Sequence, residues 1–290
     1  MLKKILKWTA ITIGSLLLIL AITYGVVVYK TNARIHKAYS VNLQKLTIPH
    51  DSIAYEAGKH VAQNRGCFGC HGEDLSGGRA FADEKSPIGI LYAANITAGK
   101  GGINYTDADW IRALRHGLGK DNKSLWFMPS HEIYHISNQD MAELISFLKQ
   151  QPAVDKTIPA KSIKPLGRIL TFLGKFPLLT AEMIDHNAQY KDTVQVAVTA
   201  DYGAYLATTC QGCHGRNLKG APPHGENQPA IPDISSSGNA GKWTLDQFVT
   251  ALRTGKTPEG KELSIYMPWR EFKYTDIELS SIHLYLQQLK

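Results

Sequence analysis

The pentapeptide Cys67-Phe68-Gly69-Cys70-His71 recurs as Cys210-Gln211-Gly212-Cys213-His214, and the two copies hold all 4 cysteines of the chain. No other feature narrows the possible folds as much. A Cys-x-x-Cys-His run is the attachment site of a c-type haem. Each thiol adds to a vinyl group of the porphyrin, two intervening residues let one turn of backbone span both vinyls, and the adjoining imidazole reaches the iron. A Cys-x-x-Cys pair can also be half of a zinc site or a thioredoxin-like redox pair. Neither explains why a histidine follows at once in both copies with no cysteine elsewhere. Two covalent haem c groups are therefore expected, one on Cys67, Cys70 and His71 and one on Cys210, Cys213 and His214.

The repeat extends well beyond the motifs. Tyr105-Thr106-Asp107-Ala108-Asp109-Trp110 corresponds to Trp243-Thr244-Leu245-Asp246-Gln247-Phe248, Ala113-Leu114-Arg115-His116-Gly117 to Ala251-Leu252-Arg253-Thr254-Gly255, and Phe147-Leu148 to Tyr285-Leu286, all 138 residues apart. This is a tandem duplication of a domain of about 90 to 100 residues. Thr106 with Asp109, Ser137 with Asp140, Thr244 with Gln247 and Thr275 with Glu278 fit capping boxes that start helices. Met141, Leu144, Ile145 and Leu148, like Leu279, Ile282 and Leu286, keep helical spacing behind them. The expected class is all-α, with each small domain using a haem as part of its core.

An iron with one histidine needs a second ligand or an open site. Phe127-Met128-Pro129 and Tyr266-Met267-Pro268 hold equivalent places in the two repeats. A thioether is soft and favours ferrous iron, which suits a one-electron carrier. The expected metal ligands are thus His71 with Met128 and His214 with Met267. His116, His131 and His135 surround Met128 in sequence and are the competitors at the first iron. Met141 and Met183 have no counterparts and read as packing residues. His60, His186, His224 and His283 read as surface or packing residues. Arg115 and Arg253 could hold a haem propionate or be solvated helix residues. Asn95-Ile96-Thr97 and Asp233-Ile234-Ser235 correspond as loops near the haem edge.

The remaining segments set the location. Trp8 to Tyr29 is an uncharged, mostly apolar run, long enough to cross a bilayer core, which takes about 20 residues. It lacks the short core and small-x-small ending of a cleaved signal peptide, so a retained transmembrane anchor over 1–30 is expected. Residues 1–50 carry Lys3, Lys4, Lys7, Lys30, Arg34, Lys37 and Lys45 and no acid, which accounts for the whole net charge of +7. The rest sums to zero, so no basic stripe is left for nucleic acid. A basic tether over 31–50 leads to domain one at 51–150. The linker 151–199 is rich in Pro at its start and apolar in the middle, and Ile169, Leu170, Phe172, Leu173, Phe176, Leu178 and Leu179 are expected to pack between the two domains, the alternatives being a partner or the membrane. Domain two fills 200–290. Covalent haem attachment implies a short cytoplasmic N-terminus and an exported body.

With its Cys-x-x-Cys-His motif, downstream Met-Pro and closing helix, each half resembles a class I cytochrome c domain, and the whole resembles a membrane-anchored dihaem cytochrome c. The resemblance implies an electron-transfer protein of the bacterial inner membrane, single-pass, with its soluble part facing the periplasm. Its partners would be redox proteins, either a dehydrogenase of which it is the cytochrome subunit or a membrane oxidoreductase or oxidase. No substrate chemistry is expected of the chain itself. The alternative is a dihaem peroxidase or sulfur-compound oxidoreductase with one open or differently ligated haem.

Overall fold

In the computed structural model, residues 1–223 and 228–290 are described, and His224 lies outside them. The apolar run belongs to α1 (Leu2–Ile35), which is longer than the run itself because helical residues continue through the basic stretch. Most of α1 is exposed, and only Val27, Thr31 and Ile35 are buried. At a spacing of four they form one stripe near its C-terminal end.

Domain one then assembles from α2 (Ser52–Asn64), α3 (Cys67–His71), strands β1 (Ala80–Ala82) and β2 (Gly89–Tyr92), α4 (Asp107–His116), α5 (Ser130–Ile133) and α6 (Asn138–Lys149). The linker contributes β3 (Ser162–Ile163) and α7 (Pro165–Phe172), and domain two is built from α8 (Ala200–His214), α9 (Leu245–Thr254) and α10 (Asp276–Gln288). The chain is predominantly helical, as its motifs imply. The small antiparallel sheet β1-β2-β3 escapes sequence reading because strands of two to four residues carry no usable period.

Each domain is held by a crossing of its first and last helices. Gly58 on α2 lies against α6, where a Cβ would stand 1.9 Å from the Glu143 carbonyl oxygen, and Gly203 on α8 meets the Ser281 carbonyl of α10 at the same distance. Phe147 and Tyr285 flank these glycines at equivalent places. The absence of a side chain lets the backbones approach this closely. Around the crossings lie the two apolar cores, with Ala62, Trp110, Leu114, Met141, Leu144 and Ile145 in the first and Leu206, Ala207, Phe248, Leu279 and Ile282 in the second.

One difference separates the repeats. Gly58 precedes Cys67 by nine residues, whereas Gly203 precedes Cys210 by seven. The two extra residues are Arg65 and Gly66, and Gly66 adopts φ 73°, a left-handed conformation that ends α2 and lets α3 restart. In domain two, α8 runs unbroken through its motif.

The apolar middle of the linker, Ile169 to Leu179, does not pack between the domains. The end of the linker does run between them, with Lys191 and Asp192 bonded to the start of α6, Val194 on the second core and the Ala197 carbonyl accepting from Ser281 Oγ. α7 packs against the C-terminal part of α1, where Arg168 Nη1 donates to Asn32 Oδ1 at 2.6 Å and Arg34 pairs with Glu182 at 2.6 Å. Leu178 and Leu179 share a buried cluster with Ile35, Ala82 and Leu91. The apolar residues of the linker find the end of α1 and the sheet of domain one because β3 pairs with β2 and draws the chain to that side. The segment over 31–50 is likewise held rather than loose. Ala38 bridges to Lys123, and Ile48 joins the first core.

Candidate haem sites

The first motif opens onto a cleft whose walls include Cys67, Cys70, His71 and Met128, with apolar contributions such as Ile96 and Leu114. The structure thus brings four residues singled out by sequence to one place. His71 is buried, and its Nδ1 lies 2.8 Å from the Ala94 carbonyl oxygen. A carbonyl only accepts, so Nδ1 carries the proton and the lone pair sits on Nε2. Burial lowers the pKa of His71, against a smaller upward pull from the Ala94 bond, and a neutral imidazole is the ligand form. In the second motif His214 Nδ1 donates to the Pro232 carbonyl at 2.8 Å, and burial again lowers its pKa.

The loops that supply these carbonyls explain two matched tripeptides. Asn95 Oδ1 accepts from Thr97 N at 3.0 Å and Thr97 Oγ1 at 2.8 Å, and Asp233 Oδ1 accepts from Ser235 N at 2.8 Å and Ser235 Oγ at 2.6 Å. Each side chain closes a local turn that fixes the preceding carbonyl over the histidine.

Among the thiols, burial pushes Cys67 up to about 12 and Cys210 up to about 11. Thiols held protonated in this way are poor metal ligands, since ligation requires the thiolate. Among the described residues no three of the His, Cys, Asp and Glu side chains converge as a metal cluster.

Met128 packs against the first core, on a loop braced by the linker. Phe127 N donates to the Leu178 carbonyl at 2.8 Å, and its ring stacks on Phe176 at 5.3 Å. Phe127 is at φ 58°, a costly conformation for a bulky residue that its packed surroundings hold in place. Met267 is half-buried on a loop where Ile265 and Tyr266 face solvent, 86% and 55% exposed. The competing histidines lie elsewhere. His116 Nδ1 meets His186 Nδ1 at 3.2 Å, His131 approaches Glu132, and His135 packs edge-on to Tyr134. Burial drives His116 and His135 down to about 4.

Other sequence expectations change here. Arg115 is buried and donates to the carbonyls of Tyr134, Ile136 and Ser137 and to Asn138 Oδ1. Arg253 donates to the Tyr274 carbonyl and to Asp276 Oδ1. Both arginines therefore bond the segment joining the methionine loop to the last helix, Arg115 from a buried position and Arg253 from the surface, where it remains exposed. Met141 is fully buried, but Met183 is 43% exposed and does not pack as expected. His283 Nε2 bonds the Trp243 carbonyl at 2.8 Å.

The domain interface was not foreseen from the sequence. His60 on α2 bonds Glu278 Oε1 at 2.9 Å, and its structural equivalent on α8, Tyr205, bonds Asp140, the equivalent of Glu278. Tyr205 Oη also accepts from Ser137 N at 2.9 Å, taking the place that an Asp140 capping box would fill. The inserted Arg65 reaches across to Thr208 Oγ1 at 2.7 Å and Thr209 Oγ1 at 2.9 Å. The bond to Glu278 raises the pKa of His60 despite the opposing effect of burial. These reciprocal contacts relate the domains by an approximate twofold.

The cytochrome c family profile matches residues 55–152 and 200–290, more than half of the chain and both motifs. The chain belongs to the cytochrome c family. Cytochrome c domains carry covalent haem c, and the donor set of the first cleft fits that group. Similar proteins include the cytochrome c subunit of alcohol dehydrogenase (quinone) from Gluconobacter oxydans (strain 621H), 28% identical over 71% of this chain and 48% of the relative. The corresponding subunit from Komagataeibacter europaeus is 25% identical over 82% and 56%, and the fructose dehydrogenase cytochrome subunit of Gluconobacter japonicus is 28% identical over 70% and 45%. The chain spans about half the length of these curated relatives.

Proposed function

We propose that this cytochrome is a dihaem electron carrier that serves a membrane-bound dehydrogenase as its cytochrome subunit. The observation that carries the proposal is the duplicated histidine: in both motifs a buried imidazole donates Nδ1–H to a backbone carbonyl at 2.8 Å and keeps Nε2 for iron. Cys67, Cys70, Cys210 and Cys213 hold the two haems, and His71 with Met128 and His214 with Met267 are the axial ligands. Haem iron supplies reversible one-electron chemistry when bound. The residues hold the group, exclude water from the cleft and set its potential through the axial thioether and burial. The names of the relatives support a dehydrogenase as partner.

A peroxidase would need an acid–base group beside an open distal position. Met128 lines the first cleft, which supports a filled distal position, and His116, His131 and His135 are not among the lining residues.

α1 is the anchor, a single span of the bacterial inner membrane with the haem domains in the periplasm. Among the described residues it is the one helix long and apolar enough to cross a bilayer. α7 packs beside its exit with Leu166, Ile169, Phe172 and Leu173 exposed and Lys164, Arg168 and Lys175 among them. That composition suits a helix lying at a lipid headgroup boundary.

The test is an anaerobic reductive titration of the purified haem-loaded chain. It is expected to take up two electrons per chain with no turnover of hydrogen peroxide. Rapid peroxide turnover, or a single electron taken up, contradicts the reading.

A further inference from the structure

The approximate twofold brings a second pair of equivalent side chains to the motifs themselves. Glu132 lies four residues after Met128, and Glu271 lies four after Met267. Glu271 reaches into domain one and rests over Gly69, where a Cβ would stand 2.6 Å from Oε2. Glu132 reaches into domain two and rests over Gly212, where a Cβ would stand 2.8 Å from each carboxylate oxygen. Each domain therefore lays an acid on the glycine of the other's Cys-x-x-Cys-His run. A side chain at either position would displace it.

Glu132 stands on α5, which packs directly against α8, the helix bearing the second motif. The nearest cationic candidate to Glu132 is its neighbour His131, with Nε2 3.7 Å from Oε1. Opposite Glu271, the Arg79 guanidinium binds the Gly69 carbonyl. The electrostatics of the thiols agree with this placement. Burial raises the Cys70 thiol, Arg79 opposes that, and Glu271 and Glu132 add to it; at Cys213, burial comes first and Glu132 second. The acids thus act on the attachment sulfurs, at the edges where the motifs face each other.

We propose that Glu132 and Glu271 are reciprocal redox-positioning residues, each setting the potential of the haem attached to the other domain and pinning the two attachment edges together as one internal electron relay. The proposal rests on the two-haem reading above. Ferric haem carries one more positive charge than ferrous haem, so a nearby carboxylate favours the ferric state and lowers the potential. Glu132 is partly buried, so its charge is weakly screened, whereas Glu271 is exposed and its effect is cut more by salt. Because acid and haem belong to different domains, the effect crosses the interface. Glu132, which also reaches Cys70, acts chiefly on the second haem, and Glu271 acts on the first.

The experiment is a spectroelectrochemical titration at pH 8 of the full haem-loaded chain and its E132Q, E271Q and E132Q/E271Q variants, each first checked for two covalent haems. Each single variant is expected to raise chiefly one of the two potentials. E132Q does so by about a tenfold change in the ferric-to-ferrous ratio at fixed ambient potential, equivalent to about 59 mV for a one-electron couple, and E271Q by less, because Glu271 is exposed. The double variant raises both. E132D and E271D, which keep the charge, stay near the parent chain. Potentials unmoved in both single variants, or the same potential moved most in both, overturn the proposal. A purely structural latch would instead lower the unfolding temperature equally in the Gln and Asp variants and leave the potentials in place. Fewer than two haems in the parent chain would refute the two-haem reading and, with it, this one.

Discussion

A chain carrying Cys67→Ala and Cys70→Ala is expected to bind one covalent haem where the parent binds two, and to lose the ordered state of domain one while domain two persists. The thioethers make attachment irreversible, so removing both thiols removes the group rather than weakening it. The consequence for folding follows from how the first core is built. Met128, Cys67, Ile96 and Phe68 are partly buried residues packed against it, and Cys67, Ile96 and Met128 also line the cleft where the porphyrin fits. Without the haem, their apolar surface returns to water at about 25 cal/mol per Å², in a domain too small to bury much surface elsewhere. Haem staining after denaturing electrophoresis counts the attached groups. Thermal unfolding followed by circular dichroism reports the domain, with one transition lost and one retained.

Gly58→Ala is expected to destabilise domain one by about 2 kcal/mol, although it places a better helix former in the middle of α2. Two effects oppose each other. Ala gains about 1 kcal/mol over Gly in a helix interior. Against this, the new methyl would stand 1.9 Å from the Glu143 carbonyl oxygen and 2.8 Å from Phe147 Cβ. The obstacle is backbone, which cannot rotate away, so α2 and α6 must separate at their crossing, and overpacking of this kind costs about 3 kcal/mol. The same substitution at Gly203, where the Ser281 carbonyl is equally close, should act on domain two. Chemical denaturation of the two variants would measure both effects, and a stabilised Gly58→Ala would show that propensity outweighs the crossing.

These two cases also show what a sequence can carry. The motifs, the Met-Pro pairs and the capping residues are local patterns, each with its own spacing, and Thr106 with Asp109 and Thr275 with Glu278 form the caps that this spacing implies. The interface has no such signature. His60 meets Glu278 across 218 residues of chain, and nothing near either residue names the other. Ser137 looks like half of a capping box, yet its amide bonds Tyr205 of the other domain. Arg65 and Gly66 are visible only as a two-residue mismatch between the repeats, and the mismatch is what supplies the clamp on Thr208 and Thr209. The linker failed for a different reason. Its apolar residues require burial but do not say against what, and pairing of β3 with β2 decided for the side of α1 and the first-domain sheet.

The histidines around Met128 illustrate the limits of proximity in sequence. His131 and His135 lie within seven residues of Met128, yet α5 carries His131 toward domain two, and His135 packs beside Tyr134. A neighbour in sequence became a neighbour of the interface. Arg115 follows the same pattern: its position in the repeat suggested a ligand contact, and burial turned it into a clamp on four groups of the following segment.

The measurement that bears most directly on the account is the coordination state of both irons in the purified ferric protein, by absorption and resonance Raman spectroscopy. Two six-coordinate low-spin haems with histidine–methionine ligation are predicted. A five-coordinate high-spin haem at rest, or a bis-histidine signature at the first site, would contradict it.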